Sequence, residues 1–322
     1  MRLCFFGTYV TSAGYPVNRF LLEGLRRSGA VVEECREELW EDGFLHAAIG
    51  RQGAGRLWRV ARRLPGVYRR LADRYRRQAE HQCVIVGYPG YLDVALARLL
   101  LRRRSRLLVL VAFISLYDTV VTDRQRLRPG SLLARLLLRL DRFAFGCADL
   151  VLVDTQAQAR HYAALLGLPE WRFHRSFVGH EFTGLDRAEP SWRAASTGRF
   201  RVLFFGTYVP LHGIDAILEA AALLRECPEF EFELIGSGQL YPAIRATAVR
   251  CGLTKVIFVD TWLNAGELAD RVQGADVCLG IFGTTEKAAR VIPYKVLGAL
   301  ALGKPVVTRD SPAVRELLQD RE

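Results

Sequence analysis

The chain has 322 residues, half of them hydrophobic and a quarter charged, which excludes a disordered or low-complexity protein and leaves room for two cores. Its net charge of +11 lies in the first part: residues 1–200 hold 32 Arg, no Lys and 19 acids, whereas residues 201–322 hold 13 basic residues and 15 acids. That asymmetry fits an anionic partner (nucleic acid, anionic lipid or a phosphorylated substrate) and equally a solvated, arginine-rich surface.

In chain order, short apolar runs alternate with helical patterns, the signature of a parallel-sheet α/β fold. Strands are predicted at Leu3–Phe6, Val31–Glu33, Cys83–Val86, Leu107–Ala112, Leu150–Val153 and Phe173–Val178. Helices are predicted between them at Asn18–Arg27, Gly55–Arg77, Leu92–Arg102, Ser131–Phe145 and Gln156–Leu165. The polar stretch Thr183–Gly198, with Gly184 and Pro190, reads as a linker, so the expected division is 1–182, a linker at 183–199, and 200–322. Beyond it, strands are predicted at Arg201–Phe205, Phe230–Ile235, Val256–Val259, Val277–Gly280 and Pro305–Thr308. The accompanying helices are Gly213–Glu226, Gln239–Arg250, Ala265–Val272 and Tyr294–Leu302.

One phrase occurs twice. Phe-Phe-Gly-Thr-Tyr-Val stands at Phe5–Val10 and again at Phe204–Val209, each time at the first strand of its half. This predicts two Rossmann-like α/β domains. A glycine at the carboxyl end of a parallel strand lets the backbone turn sharply and approach a ligand, or merely closes a tight turn. Gly236-Ser-Gly238 is a second glycine loop, but Tyr241 breaks the dinucleotide fingerprint and argues against a nicotinamide enzyme.

The seven cysteines are scattered, with neither C-x-x-C pairs nor zinc spacing, as expected of reduced thiols in a cytosol. Met1–Phe6 is too short for a signal peptide. The longest apolar run, Leu107–Ile114, falls short of the roughly 20 residues of a membrane span. Any membrane contact would therefore be peripheral, at the inner face of a membrane; the arginine-rich stretches at Arg56–Arg77 and Arg102–Arg106 are the candidates to meet anionic lipid or a polyprenyl-phosphate acceptor. No nucleic-acid-binding module is recognisable.

Four segments in order, Phe204–Gly213, Leu234-Ile-Gly-Ser-Gly238, Val291-Ile-Pro-Tyr-Lys295 and Ala299–Val307, resemble the nucleotide-sugar half of GT-B glycosyltransferases of the family 4 kind. The first half is similar to the same group through Tyr15-Pro-Val-Asn-Arg19, Gly87-Tyr-Pro-Gly90 and Phe113–Asp118. The resemblance implies a GT-B fold and sugar transfer from a nucleotide-sugar donor with retention of configuration. It implies no cofactor beyond that donor and no bound metal. The acceptor would be a glycan, a polyprenyl-phosphate-linked sugar or a small molecule.

Under that resemblance the donor would meet Gly206, Thr207, His212, Gly213, Gly236, Gly238, Lys287, Arg290 and Lys295, with Trp262 at the base. Negative charge on a leaving diphosphate needs backbone N–H groups and cations, which these positions offer. Asp118 and Arg290 are the expected catalytic residues. Gly7, Thr8, Tyr9 and Arg19 are the expected acceptor contacts. The sequence also departs from the family. Thr207 and His212 stand where the family carries Arg and Lys, and Arg290 and Gly298 stand where it carries two glutamates. The chain also ends at Glu322, a helix after Val307, where the family usually continues with a strand and a helix. These departures keep open a degenerate or truncated relative that binds a nucleotide sugar or a partner without turnover. A nucleotide-sugar epimerase would need an acid/base array that the first half does not display.

Overall fold

A computed structural model describes residues 1–11, 17–39, 53–101, 106–180, 198–261 and 263–319, with side chains at 53–57 left undescribed. The base contact expected at Trp262, the start of the Tyr15–Arg19 motif, Arg102–Arg104 of the second arginine stretch and most of the expected linker lie outside these residues. The chain forms two compact domains, Met1–Phe177 and Val178–Glu322.

The first domain contains β1 (Arg2–Gly7), α1 (Val17–Arg27), β2 (Val31–Arg36), α2 (Gly53–Arg76), β3 (Cys83–Val86), α3 (Asp93–Leu100) and β4 (Leu107–Val111). It continues with α4 (Leu132–Cys147), β5 (Leu150–Val153), α5 (Gln156–Leu166) and β6 (Phe173–Arg175). All six strands are parallel, in the order β2-β1-β3-β4-β5-β6. The second domain contains β7 (Phe200–Phe205), α6 (Ile214–Leu223), β8 (Phe230–Ile235), α7 (Tyr241–Arg250), β9 (Val256–Val259) and α8 (Ala265–Gln273). After these come β10 (Val277–Leu279), α9 (Glu286–Arg290), α10 (Tyr294–Ala301) and β11 (Val306–Val307). Its five parallel strands run in the order β11-β10-β7-β8-β9.

The strand sequences explain why both faces of each sheet are covered. Successive side chains point to opposite faces. On β1, Cys4 and Phe6 enter one core while Leu3 and Phe5 enter the other. On β7, Val202 and Phe204 enter one core and Leu203 and Phe205 the other. The predicted strands all form, within a few residues at their ends. Three short elements escape the sequence patterns: a π-helical turn at Asp118–Asp123, a 3-10 turn at Pro210–His212, and α9. None is long enough to show a helical period. Two predicted helices also begin later than expected: Gly213 caps α6 in the left-handed conformation (φ 60°), and α7 starts at Tyr241.

Strand order locates the crevices. The connections reverse direction at β1/β3 in the first sheet and at β7/β10 in the second. Open α/β sheets bind ligands beyond the carboxyl ends of strands at such a switch point. Each copy of the repeated phrase ends on one of these strands. All seven cysteines are unpaired. No described helix is long and apolar enough to cross a membrane.

Candidate functional site

The two copies of Phe-Phe-Gly-Thr-Tyr-Val build the same local structure. In each, the tyrosine folds back edge-on against the phenylalanine four residues earlier: Tyr9 on Phe5 with centroids 4.7 Å apart, and Tyr208 on Phe204 at 6.1 Å. Both tyrosines are buried. In each, the glycine has a positive φ, 127° at Gly7 and 141° at Gly206, so a side chain would strain the turn.

The equivalent glycines meet opposite charges. A Cβ on Gly7 would stand 2.6 Å from Asp93 Oδ2, and one on Gly206 would stand 2.9 Å from Lys295 Nζ. Each glycine therefore holds open the space for a buried charged head.

In the first domain that head is fully provided for. Asp93 Oδ2 accepts from the Thr8 backbone N–H (2.6 Å) and the Thr8 hydroxyl (2.9 Å), and Oδ1 accepts from the Tyr68 hydroxyl (2.8 Å). Burial pushes the Asp93 pKa up, against the pull of these donors. Thr8 and Tyr9 are buried, and the Tyr9 hydroxyl donates to Glu34 (2.6 Å). The polar atoms expected to face an acceptor here thus already serve internal bonds. Asn18 clamps the neighbouring loops: its amide donates to Val10 O and Tyr88 O, both at 2.7 Å, and its Oδ1 accepts from Tyr88 N at 2.8 Å. Arg19, next to it on α1, lies 5.2 Å from the Phe20 ring centroid. Asp93→Asn replaces an acceptor with a donor against hydroxyl and amide donors. It is expected to cost about 2 kcal/mol in urea unfolding.

Asp118 begins the π-helical turn that follows β4. It is fully buried; its backbone N–H donates to the Ser115 hydroxyl (3.0 Å), and its carboxylate lies 3.5 Å from His161 Nε2 on α5. Asp141 fixes the loop before it. This carboxylate accepts from the Ser115 hydroxyl (2.7 Å), Leu116 N (3.1 Å) and Tyr117 N (2.8 Å). Burial raises Asp141 to a pKa of about 6 despite those donors. Neither His161 nor Asp141 stands out in the sequence, because their partners come from a different part of the chain.

In the second domain the charged head has no counterpart among the described residues. Lys295 is buried at the start of α10, and its ammonium has no hydrogen-bond partner among them. The face of the Phe204 ring, 3.8 Å from Nζ, offers it a weak attraction. Burial drives its pKa well below the ordinary lysine range. His212 sits beside it, with Cε1 3.4 Å from the position of a Gly206 Cβ. Its Nδ1 is bonded to the Thr207 carbonyl, so Nδ1 must be the donor. A neutral His212 therefore presents an acceptor at Nε2 rather than a donor to an anion. Burial and the nearby Lys295 charge hold it neutral, pushing its pKa well down.

The loops around Lys295 interlock through their backbones. A Cβ on Gly236 would lie 2.1 Å from Gly206 O, one on Gly238 would lie 2.7 Å from Tyr208 N, and one on Gly213 would lie 2.4 Å from Gly283 N. Tyr208 N donates to Ser237 O (3.0 Å) and Phe282 N to His212 O (3.0 Å). Arg309 ties down the last loop by donating to Gly283 O at 2.6 Å. The α9 helix, capped by the Thr285 hydroxyl, packs on the turn 210–212 and carries two more buried cations, Lys287 and Arg290. Arg290 Nη1 lies 3.4 Å from the exposed Glu286 carboxylate. The structure thus gathers Gly206, Thr207, His212, Gly213, Gly236, Gly238 and Lys295 into one loop cluster at the β7/β10 switch point, with Lys287 and Arg290 on the helix that borders it. Among the described residues, no group of three or more His, Cys, Asp and Glu side chains is arranged to hold a metal ion.

His180, which the sequence does not single out, completes the back of this cluster. Its ring stacks on Tyr294 at 3.9 Å and lies over Gly298, where a Cβ would stand 2.5 Å from Nε2. Burial lowers its pKa to about 4. A histidine whose folded pKa is depressed loses stability as pH falls below its unfolded value near 6.5, until the folded group protonates as well. Acidification from pH 7 to 4 is expected to withdraw about 3 kcal/mol through this residue. His180→Phe, which keeps the stack without the titration, should flatten that part of the stability-versus-pH curve.

Residues 199–322 match the family model described as Glycosyl transferases group 1. No curated protein sequence matches the chain. Among solved structures, Anabaena HepE in complex with UDP and glucose is similar at a TM-score of 0.64 and 16% identity, over 99% of this chain and 83% of that one. Sucrose-phosphate synthase from Thermosynechococcus elongatus is similar at 0.63 and 15% identity, over 97% and 82%. The lipopolysaccharide outer core galactosyltransferase WaaB is similar at 0.56 and 14% identity, over 99% and 84%. With nearly the whole chain matched in these structures, the two parallel-sheet domains have the GT-B fold.

Proposed function

We propose that this chain is a retaining, metal-independent glycosyltransferase of the family 4 kind that takes its sugar from a nucleotide-sugar donor. The observation that carries the proposal is the buried Lys295 ammonium, without a hydrogen-bond partner among the described residues, held against Gly206 at the carboxyl ends of β7 and β10. A buried cation without a counter-charge is costly, and a bound diphosphate removes that cost. The same charge serves the reaction. As the glycosidic bond to the donor breaks, negative charge grows on the departing phosphate, and a preplaced cation in a dry site stabilises it. Lys287 and Arg290 reinforce the field from α9, and the glycine loops let backbone N–H groups approach the phosphates. In this reading Asp118 is a positioning residue: it is buried, and it acts on the acceptor side through His161.

HepE has been solved with UDP-glucose, which makes UDP-sugars the first donors to try. The test is calorimetric titration with UDP-, GDP- and ADP-sugars, followed by donor hydrolysis or transfer assays. Saturable binding of one donor, with release of its sugar, is the expected result. Binding of none would overturn the proposal, and binding without turnover on any acceptor would favour a degenerate relative.

A further inference from the structure

The geometry points to the outer face of α4 as a docking surface for an anionic lipid bilayer. Leu132, Leu133, Leu136 and Phe143 on this helix are between 56% and 83% exposed. At about 100° per residue, Leu132, Leu136 and Phe143 fall within a sector of about 40°, with Leu133 on one flank. The exposed Arg135, Arg139 and Arg142 fill the adjoining sector of about 60° on the other flank. The inner face is a normal core contact made by Ala134, Asp141, Ala144 and Phe145.

The electrostatics of this face have one sign. Between Arg124 and Cys147 there are six arginines and a single acid, Asp141, which is fully buried and committed to the loop Ser115–Tyr117. None of Arg135, Arg139 and Arg142 has an ion-pair partner among the described residues. Helix α2, the richer arginine stretch in sequence, differs in its apolar residues and in part in its charges. Its Arg70, Arg74 and Arg76 lie 3.0, 3.7 and 2.9 Å from acids, and among its described side chains Trp58 is exposed but no leucine is.

An apolar stripe beside a row of arginines suits the water–lipid boundary, where the stripe enters the acyl region and the guanidinium groups meet lipid phosphates. The alternatives fit less well. In an antiparallel two-fold pairing of this face with a second copy, the arginine rows would oppose each other. Apart from Phe143 the stripe is leucine, which offers a nucleic acid neither stacking nor hydrogen bonds.

The test is co-sedimentation of the whole chain with vesicles of phosphatidylcholine alone and of phosphatidylcholine containing phosphatidylglycerol. Binding is expected to the anionic vesicles and not to the neutral ones. Removing the charges together (Arg135→Gln, Arg139→Gln, Arg142→Gln) should weaken it by about 100-fold, at roughly fivefold per arginine. Removing the stripe (Leu132→Gln, Leu136→Gln, Phe143→Gln) should also abolish it, whereas Arg62→Gln with Arg63→Gln on α2 should leave it within about twofold. Both triple changes lie on the exposed face, and unchanged thermal melting verifies that each variant is folded. Absence of binding by the unmodified chain, indifference to either triple change, or light scattering that shows a dimer dispersed by the stripe change without vesicle binding would overturn the proposal.

Discussion

Lys295→Met is expected to weaken nucleotide-sugar binding by about 1000-fold or more and, at the same time, to make the ligand-free protein more stable. The two effects share one cause. In the free protein the Lys295 ammonium is buried without a hydrogen-bond partner among the described residues, and its pKa is depressed by that burial. At neutral pH the unfolded chain carries this proton freely and the folded chain resists it, so folding is disfavoured below the unfolded lysine pKa. A methionine fills much the same volume without the charge, and relief of about 2 kcal/mol is expected, or roughly 5 °C in the melting temperature. With a diphosphate bound, the charge gains its counterpart, and truncating one partner of such a pair costs about 4 kcal/mol, which is the 1000-fold. Undiminished affinity in Lys295→Met would remove this residue from the donor site. A less stable ligand-free variant would mean that the ammonium is already satisfied.

The part of this arrangement that the sequence discloses is the part set by local pattern. A buried parallel strand is an apolar run, as at Cys83–Val86, and a half-buried one keeps an apolar face, as where Phe230–Ile235 alternates with Glu231 and Glu233; these, Leu150–Val153 and Val256–Val259 are legible to the residue. The repeated phrase discloses two related domains because Phe5 with Tyr9 and Phe204 with Tyr208 make the same contact. The positions of Gly206, Lys287, Arg290 and Lys295 follow from the family resemblance. What no local pattern carries is which charge each glycine turn will face. Asp93 reaches Gly7, and Lys295 reaches Gly206, from distant elements. On sequence alone the two copies of the phrase are therefore equivalent. In the structure one turn faces an internally bonded carboxylate and the other a buried lysine without a hydrogen-bond partner among the described residues. The role of His212 is obscured for a related reason, since its ring donates to the Thr207 carbonyl rather than outward.

Gly298 shows how a missing side chain can be a packing requirement. By family resemblance the position lacks a carboxylate, but the space belongs to His180, whose ring atoms would lie 2.5 to 2.8 Å from a Cβ at this residue. The ring cannot simply swing away, because it is buried and stacked on Tyr294. Gly298→Glu is therefore expected to destabilise the protein by about 4 kcal/mol or more, measured by denaturant unfolding: overpacking contributes part, and burial of a carboxylate the rest. Removing the obstruction with His180→Gly should cost stability alone, through the lost stack. Combined with Gly298→Glu it should recover about 2 kcal/mol relative to the sum of the single changes, because neighbours competing for one volume are not additive. Donor binding in the double variant then separates two meanings of the exchange. Affinity equal to that of the unmodified protein would mean that the ring only fills space, whereas a loss that the new carboxylate does not repair would give His180 a part in holding the donor. Strict additivity of the two changes would show that they do not share the space at all, and would leave Gly298 without a packing explanation.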